Sequence, residues 1–336
     1  MKVSEIGEVA LVELISNIIN KTVDEKAKTI EQLIVGIGDD AAAWHVGNSI
    51  QLATVDALVQ NVHFTLDKTP WIELGWKALA VNISDIAAMG GIPEYALVSL
   101  GLSPDTEVDN VIELYEGMMK LARQQNMSII GGDTDNTPYV SVTVTVLGKM
   151  GVNQYPLTRS SAKPGDVISV TGYLGTAAAG LEMLKNNLLF DAHTAAIFTR
   201  ALLHPDPRVA EGQLLVKEGV RTAIDVSDGL YADLKHICRA SRVGAKIEVN
   251  QLPIAPSVKQ SFGDGAQELA ISGGEDYELL FTADINTIAN VKKHTKCPIT
   301  IIGEITQENI GEVTFVDQKG DIFKPHKKGW EHFISK

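Results

Sequence analysis

Basic residues are in short supply in this chain. Lys and Arg number 29 against 42 Asp and Glu, a formal net charge of −13. That balance argues against nucleic-acid binding, which draws on Lys and Arg to neutralise phosphates. Anions can still bind an acidic protein where metal ions stand between. Cysteine is nearly absent: Cys238 and Cys297 are the only two. They have neither a disulfide framework's spacing nor that of a zinc site, so a reduced, cytoplasmic protein is expected. No apolar run approaches the roughly 18 residues of a membrane helix. The start Met1-Lys2-Val3-Ser4-Glu5 carries no signal-peptide pattern, which also favours the cytoplasm and no membrane partner. No G-x-x-x-x-G-K-[ST] run occurs, which excludes a P-loop. No G-x-S-x-G elbow supports a Ser-His-Asp hydrolase. Low-complexity segments and short repeats are missing too.

What is present is length and apolar content. At 336 residues, 45% of them hydrophobic, the chain exceeds one ordinary core, so two domains are expected. In residues 6–20, Ile6, Val9, Ala10, Leu14 and Ile18 recur at helical spacing. Strands are predicted over 32–35, 49–55, 96–102, 127–130 and 139–147. Helices are predicted over 71–89, ending at Gly90-Gly91, and over 107–125. Ser160-Ser161-Ala162-Lys163-Pro164-Gly165-Asp166 reads as a turn at the boundary, giving domains of 1–150 and 151–336. The second half also alternates, with strands at 167–171, 223–226, 279–282 and 300–302. Its helices are predicted at 176–185, after His204-Pro205-Asp206-Pro207, at 230–242 and near 285–296. Both halves are therefore α/β.

Four Asp-bearing stretches recur with Gly or a small residue beside them. They are Gly36-Ile37-Gly38-Asp39-Asp40, Gly131-Gly132-Asp133-Thr134-Asp135, Asp225-Val226-Ser227-Asp228-Gly229 and Ser272-Gly273-Gly274-Glu275-Asp276. Asp56, read as ending a strand, and Asp85, inside the 71–89 helix, lie in apolar surroundings. Carboxylates are rarely buried unless paired or bound to metal. Several together repel, and oxygen-rich sets suit Mg²⁺ shared with phosphate oxygens. The neighbouring glycines would let backbone approach a ligand. Each acid alone also has a plain reading: Asp85 as a satisfied helix carboxylate, Asp228 as a helix cap, Glu275 and Asp276 as an exposed turn.

Two glycine runs compete as nucleotide loops. Gly36 to Ala41 fits G-x-G-x-x-A, but Asp39 and Asp40 would repel a pyrophosphate, and residues 42–47 are too short for the crossover helix. Gly172-Tyr173-Leu174-Gly175-Thr176 leads into a helix, and reads equally as a plain helix start.

Taken together and in order, these runs resemble the thiamine-monophosphate kinase family, of the aminoimidazole-ribonucleotide-synthetase-like superfamily. The match covers 36–40, 56–64, 77–90, 131–134, 158–166, 223–230, 272–281 and 328–333. Ser272-Gly273-Gly274-Glu275-Asp276-Tyr277-Glu278-Leu279 and Asn61-Val62-His63-Phe64 are its kinase-specific parts. The resemblance implies Mg²⁺ ligation by Asp40, Asp56, Asp85, Asp133, Asp225 and Asp228, with Thr54 nearby. It implies ATP contacts at Tyr115, Gly132, Asp133, Arg159 and Ser227, and thiamine phosphate contacts at His63, Glu275 and Trp330. Two departures from the family pattern stand out: Val55 in place of a hydroxyl residue, and Asp135-Asn136 in place of Thr and Arg. Taken singly, His63 and Trp330 would read as structural and Arg159 as a turn residue.

The resemblance further implies a homodimer in which the N-terminal sheets form a β-barrel with helices outside. The implied reaction is Mg²⁺-dependent transfer of the ATP γ-phosphate to thiamine phosphate, direct and in line. The acceptor phosphate is its own nucleophile, so no catalytic general base is expected. Alternatives are a superfamily ATPase that activates an amide or carbonyl oxygen, or a non-catalytic regulator. A selenophosphate synthetase would want a reactive Cys near the N-terminus, and the first is Cys238.

Overall fold

The computed structural model describes residues 2–22, 27–151 and 153–333. The fold is α/β in two domains, each built on its own sheet. The first runs α1 (Val3–Thr22, broken at Gly7), α2 (Lys28–Glu31), β1 (Leu33–Val35), β2 (Ala42–Val46), β3 (Ser49–Val59), α3 (Trp71–Ala88), β4 (Ile92–Leu102), α4 (Val108–Gln124), β5 (Ser128–Asn136) and β6 (Ser141–Gly151). Its six strands lie in the order β1-β2-β3-β6-β4-β5, and only β4 and β5 run parallel. The alternation in β3 explains its one-sided burial: Ile50, Leu52 and Thr54 face the helices, whereas Val55 is 58% exposed.

Helix α3 is apolar nearly all round and correspondingly buried. Leu74, Leu79, Ile83 and Ile86 lose all exposure, each worth about 1.5–3 kcal/mol of transfer free energy. With α4 it covers one face of the sheet. The other face is left open, with Val55, Tyr95, Leu97 and Ile130 all substantially exposed.

The second domain runs β7 (Val167–Thr171), α5 (Thr176–Asn186), α6 (Ala192–Leu203), α7 (Val209–Lys217), β8 (Thr222–Asp225), α8 (Leu230–Ser241), β9 (Gly244–Glu248), α9 (Pro256–Phe262), α10 (Gly265–Ser272), β10 (Leu279–Ala283), α11 (Ile285–His294), β11 (Ile299–Thr306), β12 (Val313–Val316) and β13 (Ile322–Phe323). Its strand order is β13-β12-β9-β11-β7-β10-β8, with β8 at an edge.

The two domains meet along α3. Ala88 joins a buried cluster with Leu157, Leu215, Ala223 and Phe281. The His204-Pro205-Asp206-Pro207 break docks on the same helix. Trp76 donates its indole N–H to the Pro205 carbonyl at 2.8 Å, and its ring stacks on His204 at 3.6 Å. Helix α6 ends at Leu203, before the proline, and the Pro205 carbonyl, outside the helix, finds a buried donor in Trp76.

Several boundaries differ from the sequence expectation. The strand read as 49–55 continues to Val59, and the one read as 127–130 continues to Asn136. Asp56 and Asp133 therefore sit within strands, not after them. After Gly36 to Ala41 comes strand β2, with no helix to face a pyrophosphate. The Gly172 to Thr176 run is a helix start. A Cβ on Gly172, whose φ is +57°, would lie 1.9 Å from a Glu278 carboxylate oxygen.

Candidate active site

The site is organised by two consecutive residues of α3. Asp85 accepts a 2.5 Å hydrogen bond from the Thr54 hydroxyl of β3. Ser84 donates one of 2.6 Å to Asp225, the last residue of β8. Asp40, in the loop before β2, completes the group. Asp40, Asp85 and Asp225 each offer a carboxylate oxygen, all within 4.8 Å of one another. Arg159, from the segment between the domains, bonds Asp40 at 2.5 Å through its guanidinium and donates its backbone N–H to Asp39 at 3.1 Å. Asn82 fixes the neighbouring strand by accepting the Asp56 N–H at 2.9 Å.

The electrostatics are strained in one direction. Burial, and then the Asp40 charge, push the Asp225 carboxyl up to about 8. Burial together with Asp225, Asp56 and Asp40 holds Asp85 well above the usual carboxylate range. Asp40 is raised as well, first by burial, and Asp56, which still reaches solvent, is raised by partial desolvation and the Asp40 charge. Arg159 offsets part of this charge. One Asp40 carboxylate oxygen is buried without any partner. The donors are all hard oxygens, so the group fits an Mg²⁺-like cation and not a thiophilic one.

Behind this cluster lies the Ser227-Asp228-Gly229 loop. Burial, then Glu8, raise the Asp228 carboxyl to about 6. Asp233 was not singled out from the sequence. It accepts the backbone N–H groups of Asp228 and Gly229 at 3.2 and 3.0 Å from a fully buried position on α8. A signal for it existed: Asp233 shares the apolar face of Leu230, Leu234 and Ile237.

A second group faces the same space. Glu275 and Tyr277 both adopt left-handed backbone, φ +69° and +49°. The residues between and after them explain how this is tolerated. Asp276 accepts the Gly175 and Ala177 N–H groups at the start of α5, at 2.7 and 3.2 Å. Glu278 takes a bidentate pair from Arg208 at 2.5 and 2.6 Å and a 2.6 Å bond from Thr171. Asp276 and Glu278 are thus structural, and Glu275 alone is left to face the site. Gly274 serves close packing of backbone on backbone: a Cβ there would lie 2.2 Å from the Ser227 carbonyl oxygen.

Glu275 is ion-paired to Lys77 of α3, a residue inside the 77–90 run to which the sequence pattern assigns no role. His63 accepts the Val59 N–H at 3.0 Å, and its ring lies 5.3 Å from that of His332. Trp330 is 5.9 Å from His332 and donates its backbone N–H to the Asp228 carbonyl at 3.0 Å. His63, Glu275 and Trp330 therefore line up beside the carboxylates, with Lys77 and His332 added.

Three expected residues are not brought there. Gly132 and Asp133 lie on edge strand β5, and Tyr115 packs under the N-terminal core from α4. Asp56 pairs with Val144, Val144 with Val98, and Val98 with Gly132. Three strand spacings make that roughly 14 Å. Asp133 pairs with Ser99, one register step on, so it faces the open side of the sheet, away from α3.

Comparison with known proteins bears on what this geometry serves. The family model "AIR synthase related protein, N-terminal domain" matches residues 38–150, and the corresponding C-terminal domain matches 163–316. The thiamine-monophosphate kinase of Bacillus subtilis (strain 168) is 39% identical over 89% of this chain and 93% of its own. That of Escherichia coli (strain K12) is 39% identical over 90% and 92%. The solved structure of AaThiL complexed with AMPPCP and TMP superposes with a TM-score of 0.85, at 30% identity and 99% coverage of both chains.

Proposed function

The chain belongs to the thiamine-monophosphate kinase family of AIR synthase related proteins, and we infer on that premise how its own residues carry the reaction. It is an ATP-dependent kinase that phosphorylates thiamine phosphate, giving thiamine diphosphate and ADP. The observation that carries the residue assignment is the placement of α3. Its Ser84-Asp85 pair anchors the carboxylates, and its Lys77 meets Glu275 on the acceptor side.

Asp40, Asp56, Asp85, Asp225 and Asp228, with Thr54, would hold Mg²⁺. When bound there, Mg²⁺ supplies charge screening between the two phosphate groups and stabilises the leaving ADP. The residues themselves do the rest. Arg159 and Ser227 orient the nucleotide phosphates. His63, Glu275 and Trp330 hold the thiamine end. A phosphate monoester has a second pKa near 6, so the acceptor is largely ionised at neutrality and no protein base is required. The reading is of one direct in-line transfer, with the protein supplying alignment.

The homodimer supplies what one chain lacks. The open sheet face carries Val55, Tyr95, Leu97 and Ile130, an apolar surface suited to a second copy. Two such faces would close toward a barrel with the helices outside. Asp133 looks out on that face, so Asp133 and its neighbour Gly132 are read as serving the nucleotide through the dimer, whereas Tyr115, on α4 behind the sheet, keeps only the role that the family resemblance implies. In this reading residues 1–150 bind ATP and Mg²⁺ and dimerise, and residues 151–336 complete the site. The setting is cytoplasmic. Among the described residues no helix is long and apolar enough to cross a membrane.

The test is ADP release and product formation with Mg²⁺ and ATP, with and without thiamine phosphate. ADP and thiamine diphosphate should appear in equal amounts, and only with the acceptor. ADP release without thiamine diphosphate would favour an amide- or carbonyl-activating ATPase.

A further inference from the structure

Asp233 has no role in the assignment above, yet it is buried and gives one carboxylate oxygen to two consecutive N–H groups, those of Asp228 and Gly229. Each N–H belongs to a planar trans peptide whose carbonyl points the opposite way. The Asp228 N–H shares its peptide with the Ser227 carbonyl. The Gly229 N–H shares its own with the Asp228 carbonyl. Both carbonyls are taken by the thiamine end. That of Ser227 accepts the Glu275 N–H at 2.8 Å, and that of Asp228 accepts the Trp330 N–H at 3.0 Å. Asp233 therefore sets the tilt of the two peptide planes from which Glu275 and Trp330 hang. The Asp228 side chain leaves the backbone between those planes, and the Ser227 side chain just before them.

We propose that Asp233 is a positioning residue that holds the acceptor end of the site in register with the nucleotide and metal end. It acts as a fixed hydrogen-bond acceptor for two N–H groups, and its charge is not what the reaction uses. In-line transfer depends on aligning the two ends, and a displacement of about 1 Å can cost roughly a hundredfold in rate. Without Asp233 the two planes are free to turn, and Glu275 and Trp330 move relative to Ser227 and Asp228. A carboxylate that reaches back to a helix entry also caps the helix. A cap alone would change stability and leave the use of both substrates intact. The role of Asp233 rests on the residue assignment proposed above and adds to it the link between the two ends.

The experiment is steady-state kinetics at saturating Mg²⁺, each substrate varied in turn, with melting temperatures measured alongside. The proteins are the wild type, Asp233→Ala, Asp233→Asn, Gly329→Ala and Trp330→Ala. Asp233→Ala, assayed where it is folded, should raise the KM for thiamine phosphate and for ATP by about fivefold or more each. Its kcat should fall by about tenfold or more. Asp233→Asn keeps an oxygen acceptor without the charge and should recover most of both losses. Gly329→Ala disturbs the link from the other side. Gly329 has φ +106°, and a Cβ there would lie 2.9 Å from the Asp228 carbonyl oxygen that holds Trp330. It should raise the KM for thiamine phosphate and leave that for ATP within about twofold, since Ser227 keeps its anchor. If Asp233→Ala does not fold, Asp233→Ser, too short to hold both N–H groups, takes its place. Asp233→Asn as damaging as Asp233→Ala would make the charge the active feature and overturn the proposal. A lowered melting temperature with wild-type KM values in Asp233→Ala would reduce the residue to a helix cap and overturn it too. An unchanged thiamine phosphate KM in Gly329→Ala would break the link to Trp330. Trp330→Ala keeps the two readings apart: no effect there rejects the acceptor assignment, whereas an effect there and none in Asp233→Ala rejects the positioning role alone.

Discussion

Ser84 of α3 donates a 2.6 Å hydrogen bond to Asp225, so a helix of the first domain directly holds the last residue of an edge strand of the second. The next residue, Asp85, is held by Thr54 of β3 in the first sheet. The carboxylate group is therefore also the joint between the two domains. Whatever neutralises it acts on the packing of the two halves as well as on the chemistry.

Removal of divalent ions should abolish turnover, because the unscreened cluster repels ATP. Asp85→Asn and Asp56→Asn should each lower kcat by at least about a hundredfold, the equivalent of roughly 2.7 kcal/mol. Steady-state assays with an Mg²⁺ titration measure both. Full activity in excess EDTA would reject the metal assignment.

The pH dependence of stability has a definite sign. The Asp225 carboxyl stands at about 8 in the folded protein against an ordinary 3.8, and Asp39 and Asp228 stand at about 6. A carboxyl with a raised folded value binds its proton more tightly folded than unfolded. Metal-free protein should then lose stability as pH rises from about 4 to 8. Its melting temperature should be lower at pH 8 than at pH 6, and Mg²⁺ should raise it more at pH 8. A metal-free melting profile flat across that window would contradict the burial of these acids with only partial counter-charge from Arg159.

The three carboxylates that the fold brings together are legible in the amino-acid sequence, for a physical reason. An Asp beside or within an apolar run needs a partner, so Asp40, Asp85 and Asp225 draw notice by recurrence, although each alone has a plain reading. The family resemblance adds His63, Glu275 and Trp330. Lys77 escapes because a lysine within a helical apolar stripe is usually a snorkelling surface residue. Its partner lies 198 residues away, on a loop whose left-handed turns no local pattern announces. Helix α6 also escapes, although Asp191 caps it through the His193 and Thr194 N–H groups. Strands β9, β12 and β13 are short and take their order from packing, not from local preference. The open sheet face is the least legible, since which side of a strand remains uncovered depends on where the helices return.

Mixing two inactive variants tests whether Asp133 serves a second copy. Asp56→Asn and Asp133→Asn should each be inactive as homodimers. If the two residues belong to one site across the interface, a mixed dimer has one doubly damaged site and one intact site. Refolding an equal mixture should then recover about a quarter of wild-type activity, from random assortment of a two-fold dimer. No recovery from a mixture proven to contain mixed dimers would return Asp133 to the site of its own chain, and an active Asp133→Asn homodimer would remove it from catalysis.

Substrate recognition should separate from metal chemistry at Trp330. The residue is 41% exposed, and its ring is linked through His332 to His63, beside Glu275. An aromatic face attracts a cation, and the thiazolium is the cation on offer. Trp330→Ala should cost about 1–2 kcal/mol at the acceptor end, raising the KM for thiamine phosphate by roughly fivefold to thirtyfold. The KM for ATP should change far less, because the proposed nucleotide contacts are Arg159 and Ser227, not the indole, with Mg²⁺ proposed at the carboxylate cluster. Asp85→Asn should show the opposite division, lowering kcat and the use of ATP with Mg²⁺ while the thiamine phosphate KM holds. Varying each substrate in turn against both variants measures the two effects. Trp330 also donates its backbone N–H to the Asp228 carbonyl, a bond that substitution by Ala retains, so the loop behind the cluster stays anchored. An unchanged thiamine phosphate KM in Trp330→Ala would therefore mean that the indole does not touch the acceptor, and that His63 and Glu275 hold the thiamine end without it.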